Sequence, residues 1–246
     1  MTDPTALGGV SYGPYRVVVM ARERADDMPA HPSNPFTPAD HLGTVQRSSS
    51  TTTRGGESMR VLVASRTFDA PLEEVWDALT TPERIERWLS PISGDFVVGG
   101  RFDIENNASG DILTCDKPRL VQVTWEFGGD TSWVDAALSA SGDGTSVALK
   151  HTAAPPQEWW DQFGAGATGI GWEMMLVGIA LHLAAPDAPR LDPADPALAA
   201  PLYELMAASS AGWADAEIAA GGDPDQARAA AERTLAFYTG IDSPEA

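Results

Sequence analysis

Cys115 is the only cysteine in the 246-residue chain. No disulfide can therefore form within it, and no thiolate metal cluster can assemble. Lys and Arg are also scarce, 16 against 35 Asp and Glu, for a formal net charge of -19. A field of that sign repels phosphate backbones and anionic surfaces, which removes nucleic acid from the expected partners. Histidine occurs only as His31, His41, His151 and His182, in none of the spacings that hold a metal. No Gly-x-Ser-x-Gly nucleophile elbow is present. Long apolar runs are missing too: Met174–Leu181, bracketed by Glu173 and His182, falls far short of the ~20 residues that span a bilayer. Tyr15–Met20 is too short for the apolar region of a signal peptide and runs into charged residues. These absences predict no metal, no cofactor, no membrane insertion and a cytoplasmic location.

What remains is the composition of an ordinary globular protein, 43% hydrophobic and 21% charged. Residues 1–54 read as a largely disordered leader. Met28–Asp40 holds four prolines in thirteen residues, and the stretch from Arg47 is a Ser/Thr/Gly tract; neither buries enough apolar surface to offset chain entropy. Within it, Leu42–Gln46 can join a sheet edge. Order is expected from about Met59. Arg60–Phe68 is a β-rich strand. Asp69 and Pro71 then open a helix whose Leu72, Val75, Trp76 and Leu79 share one face, and a second short helix begins at Pro82. From Phe96–Val98 onward the pattern has period two, broken at Gly99-Gly100, Ser109-Gly110, Lys117-Pro118, Gly128-Gly129 and Gly142–Gly144. Tight turns of this kind imply an antiparallel meander, because parallel strands need long crossovers.

After Pro155-Pro156 the chain turns helical to about Ala184, and Phe163–Gly169 contains a literal G-x-G-x-x-G. A dinucleotide fingerprint needs a strand entering its glycines inside a βαβ unit. Here Trp159, Trp160 and Phe163 enter at helical spacing, behind a meander. The glycines therefore read as a helix interruption, or as a place where the helix passes close to strands. Beyond them Trp172, Met175, Leu176, Ile179 and Leu183 form an apolar stripe. Its natural seat is the concave face of the sheet, an α+β arrangement that often leaves a cavity. Two Ala-rich helical stretches, roughly 197–220 and 224–238, complete the chain as an extension packed on the domain or at an interface.

Candidate site residues follow from phase. Trp125 alternates with Val121, Val123 and Phe127, and His151 with Val147 and Leu149, so both face inward. His151 reads either as a core or rim histidine or as a ligand contact. Glu173 either meets the polar end of a ligand or lies exposed. Trp88 and Trp172 are core or cavity aromatics, whereas Trp133 shares phase with Asp135. Cys115 reads as a small half-buried hydrophobe.

The stretches 67–91, 94–104, 119–127 and 169–183 together resemble the activator-of-heat-shock-protein-90-ATPase-like family, within the START/SRPBCC superfamily of helix-grip folds. The resemblance covers roughly 60–185. It implies an antiparallel curved sheet gripping a long C-terminal helix, with a deep apolar cavity between them. The superfamily includes lipid and hormone binders, polyketide cyclases and co-chaperone domains, so fold alone does not choose a function. The leader is not expected to form the N-terminal chaperone-binding domain of the eukaryotic co-chaperones.

The expectation is thus a leader (1–54), a helix-grip domain (55–185) and a C-terminal helical extension (186–246). It would act as a non-enzymatic module binding a small apolar molecule through Trp88, Trp125, His151, Trp172, Glu173 and Leu176. The alternatives are a cyclase- or hydrolase-like enzyme and a co-chaperone-type interaction module, with a protein partner or a homodimer possible.

Overall fold

In the computed structural model, which describes residues 36–240, the alternating segments pair into one eight-stranded antiparallel sheet. The strands are β1 (Val45–Arg54), β2 (Glu57–Phe68), β3 (Ile92–Gly94), β4 (Arg101–Ile104), β5 (Ser109–Asp116), β6 (Leu120–Phe127), β7 (Asp130–Ser141) and β8 (Gly144–Ala153). Their order is β1-β2-β8-β7-β6-β5-β4-β3. β5 to β8 form the expected meander. β2 closes against β8, with Leu62 opposite His151 and His151 opposite Val134. Phe96–Val98 is not a strand: it is an exposed loop, and the strand beside it is the shorter β3.

The N-terminal boundary differs from the sequence reading. β1 lies inside the expected leader and pairs with β2 over its full length, from Val45 opposite Arg66 to Arg54 opposite Glu57. Ser and Thr suit an edge strand whose outer side faces water, so a polar tract can be ordered by backbone pairing, here helped by the buried Val45. The preceding segment is fastened as well. Phe36 stacks on His41 at 5.4 Å, and Arg66 Nη1 lies 3.0 Å from His41 Nδ1. The rest of the expected leader, 1–35, lies outside the described residues.

Between β2 and β3 run α1 (Leu72–Thr80) and α2 (Pro82–Trp88), as the proline and apolar spacing predict. Pro71, rather than Asp69, occupies the N-cap of α1, and no side chain caps it. After β8 come α3 (Gln157–Phe163) and α4 (Gly166–Ala184). Trp172, Met175, Leu176 and Ile179 bury their side chains against the sheet and the short helices. The opposite side of α4, with Ile170, Met174 and Val177, is buried by the C-terminal helices α5 (Ala199–Ala219) and α6 (Pro224–Thr239). A helix apolar all round must be covered all round. By length and composition alone α4 would suffice to cross a membrane, but 67% of that stretch is buried inside the protein.

The glycines of α4 serve helix contacts rather than strand contacts. Gly164 ends α3 with φ 57° and ψ -159°, a conformation that suits glycine. A Cβ on Gly169 would overlap the fully buried indole of Trp213 from α5. The extension is therefore part of the core. Trp213 and Ala216 join the main cluster, Thr234 Oγ1 donates to Phe163 O at 2.6 Å, and Tyr238 OH donates to Ala167 O at 2.8 Å.

Candidate functional site

The grip of the sheet on α4 leaves two hollows that share a wall. Trp125 on β6 and Trp172 on α4 meet edge to face, ring centroids 5.0 Å apart, and both rings border both hollows. The inner chamber, about 180 Å3, lies under β4–β8 and α2. Its wall is apolar (Ile85, Trp88, Phe102, Val123, Met175 and similar side chains), with Thr80 and Cys115 as its polar exceptions. Cys115 is exposed at this wall, not half-buried as expected. The outer chamber, about 270 Å3, opens between β2, β6–β8 and α3, and its wall includes Arg60, Asp130, Ser132, His151, Trp160 and Thr168. A further hollow of about 440 Å3 lies on the other side of Trp88, bordered by Met174, Gly178, Arg190 and Asp192.

His151 is where alternation put it, buried beside Trp172 with ring centroids 5.5 Å apart. Its Nε2 lies 2.8 Å from Ser132 Oγ, and Ser132 Oγ donates to Trp125 O at 3.1 Å. Ser132 has one hydroxyl proton. Having given it to the carbonyl, it accepts from Nε2–H, which leaves Nδ1 as a bare acceptor. Burial pushes the imidazole down to about 4, so the ring is neutral at pH 7. The chain His151–Ser132–Trp125 holds one wall of the outer chamber in register. Ser132 was not singled out in the sequence: it shares phase with Val134 on β7, but a lone serine between Thr131 and Trp133 carries no other signal.

The remaining expected site residues divide. Trp88 borders the inner chamber and donates its indole N–H to Ala78 O at 2.9 Å. Leu176 does not line either chamber: it is fully buried in the core. Glu173 neither meets the cavity nor lies exposed. It is one residue on from Trp172, about 100° around the helix, and faces β1, where Arg47 Nε and Nη2 donate to its two carboxylate oxygens at 2.6 Å each. Its side chain is 4% exposed. Trp133 is on the outer face, with the Arg54 guanidinium 3.9 Å from its ring centre.

Besides Ser132, two contributors were missed. Arg60, the fourth residue of β2, is half-buried and lays its guanidinium over Trp160, 4.4 Å from the ring centre. Trp160 in turn donates its indole N–H to Glu217 Oε1 of α5 at 3.0 Å. In the sequence Arg60 is only a polar residue ahead of an apolar run. Among the described residues no group of three or more His, Cys, Asp or Glu is placed to hold a metal ion.

A curved antiparallel sheet closed around one long helix, with hollows between them, defines the helix-grip class of the SRPBCC superfamily. Residues 69–184 match the family model of the Activator of Hsp90 ATPase homolog 1-like protein. CalU16 from Micromonospora echinospora is 32% identical in its crystal structure, with 68% of this chain and 96% of CalU16 covered and a TM-score of 0.54. Its solution NMR structure gives 30% identity, coverage of 72% and 96%, and a TM-score of 0.59. PFC0360w, an HSP90 activator from Plasmodium falciparum, is 23% identical over 39% of this chain and 74% of its own, with a TM-score of 0.36. No curated protein matches the chain. The protein belongs to the activator-of-Hsp90-ATPase-homologue-1-like family.

Proposed function

We propose that this chain is a small-molecule-binding module that holds an apolar ligand between the sheet and α4, against the Trp125–Trp172 pair. The observation that carries this reading is the pair of hollows meeting at those two rings, one walled by apolar side chains and the other by a few convergent polar groups. That combination is what small-molecule sites share. Family membership supports a binding module without naming its ligand. The chemistry of His151 also favours binding over catalysis: an imidazole held at about 4 is a weak base at neutral pH, suited to accepting a hydrogen bond.

An apolar fluorescent ligand should bind with a stoichiometry near one and quench tryptophan emission. Trp125→Phe should keep the fold and change ligand preference. His151→Ala should weaken binding by ~0.5–1.5 kcal/mol, the scale of one hydrogen bond. If turnover of a substrate fell about 10²–10⁴-fold in His151→Ala while binding persisted, the enzyme reading would replace this one. If no apolar ligand binds, the chambers are packing defects and the interaction-module reading leads.

A further inference from the structure

The two chambers differ in polarity along one axis. The inner chamber offers almost nothing to hydrogen-bond, while the outer one gathers Arg60, Ser132 and His151 on its wall. A ligand that spans both must be amphipathic, with its apolar body on the hydrocarbon side of Trp125 and Trp172 and its head on the polar side. Resting on the binding reading above, we propose that the head is a carboxylate and that Arg60 is its receptor.

Arg60 is prepared for this in three ways. First, it is unpaired. Acids outnumber bases about two to one in this chain, and Arg47, Arg84, Arg101 and Lys150 all reach a carboxylate. Among the described residues the Arg60 side chain forms no ion pair and no hydrogen bond, and its guanidinium rests over the ring of Trp160. Second, that contact fixes its orientation. The Trp160 ring is pinned through its N–H by Glu217, so the guanidinium rests over a held surface. Stacking occupies the face of a guanidinium and leaves its in-plane N–H donors free, in the fork that matches a carboxylate bidentately. Third, neither carboxylate nearby pairs with it: Glu217 is engaged by the N–H groups of Trp160 and Ala165. Asp130, on the same chamber wall, is exposed beside the β6–β7 turn and forms no ion pair with Arg60. Solvent screens it, whereas a head group drawn against Trp160 is shielded from water. An octyl chain is a suitable test body, since the inner wall is almost wholly hydrocarbon.

The experiment compares octanoate, octan-1-ol and octylammonium by calorimetry and tryptophan emission, in the wild-type chain and in Arg60→Gln. Octanoate should bind about tenfold or more tightly than octanol, the scale of one charge-assisted bidentate pair, and octylammonium most weakly. The octanoate-to-octanol ratio should collapse to about one in Arg60→Gln and lie between in Arg60→Lys. In the wild type the ratio should also fall as salt rises from 50 to about 500 mM, a readout that needs no variant. Equal binding of octanoate and octanol, or a preference for octylammonium, would overturn the carboxylate while leaving the binding reading intact. A ratio that survives Arg60→Gln would remove Arg60 from the role. If none of the three binds, the binding reading fails and takes this inference with it.

Discussion

Replacing Arg47 by Met isolates the contact that joins the edge strand to the core helix. In the native chain the Arg47–Glu173 pair has two 2.6 Å hydrogen bonds, and its side chains are 17% and 4% exposed. Arg47→Met leaves the Glu173 carboxylate without a counter-charge and almost without water. Breaking a buried pair from one side costs about 3–5 kcal/mol. At roughly 2–4 °C per kcal/mol for a chain of this size, the melting temperature should fall by roughly 6–20 °C. Glu173→Gln should cost less, about 1–3 kcal/mol, because the abandoned Arg47 is the more exposed partner and can rehydrate. The double variant Arg47→Met/Glu173→Met should recover most of the loss, since apolar side chains of similar volume often replace a buried ion pair at no net cost. Urea unfolding followed by far-UV circular dichroism measures all four corners of the cycle. A cost below about 1 kcal/mol for Arg47→Met, or a double variant whose loss equals the sum of the single losses, would refute the reasoning.

His151 should make the fold acid-sensitive. Its folded pKa of about 4 lies below the ordinary 6.5, so the unfolded chain takes up the proton first as pH falls. Its stabilisation is complete above 6.5 and is lost between 6.5 and about 4, with a ceiling of ~3 kcal/mol. His41 has the same sign and window, so the quantity to measure is the smaller pH slope of His151→Phe relative to wild type in urea titrations; identical slopes would contradict the burial argument. Gly169→Ala should destabilise by about 1–2 kcal/mol net: overlap with Trp213 costs ~1–3, partly offset by up to ~1 of helix propensity, and a higher melting temperature would show that the indole yields. A chain beginning at Gly55 lacks β1, Val45 and Arg47 and should lose cooperative thermal unfolding; a melt like that of the full chain would mean β1 is dispensable.

The short-range pattern was largely sufficient for the meander. In β6, β7 and β8, alternation placed Trp125, Val134, Leu149 and His151 inward and Trp133 outward, because a one-residue slip would turn every apolar side chain to water. The helices α1 and α2 were legible for the same reason at period 3.6, α4 by its length and apolar content, and Pro71, Pro82 and the Pro155-Pro156 pair marked where helices could start. The resemblance to the helix-grip family rested on these stretches, and the structure has that fold. Composition misled at β1. A Ser/Thr tract has no apolar content to announce a strand, yet the free backbone edge of β2, with Val45 and Arg47 anchored on the core, orders it.

The site was legible only in part. Trp88, Trp125 and His151 line the hollows from elements whose phase is fixed locally, whereas Trp172 shares α4 with Glu173 and Leu176 and its place at the hollows rests on tertiary packing. Glu173 and Leu176 could not be sorted from the sequence. On α4 the apolar content runs all round the helix, and whether a residue faces sheet, short helices, β1 or α5 depends on neighbours up to 126 positions away. Arg60, Trp160 and Glu217 meet only because β2, α3 and α5 come together in the fold, the guanidinium over the ring and the ring N–H on the carboxylate. The sequence by itself determined which residues alternate, where helices begin and that one greasy helix needs covering. Tertiary structure decided what covers it and which polar groups find partners. Secondary structure is written in neighbours along the chain, but a cavity is bounded by elements that meet only after folding.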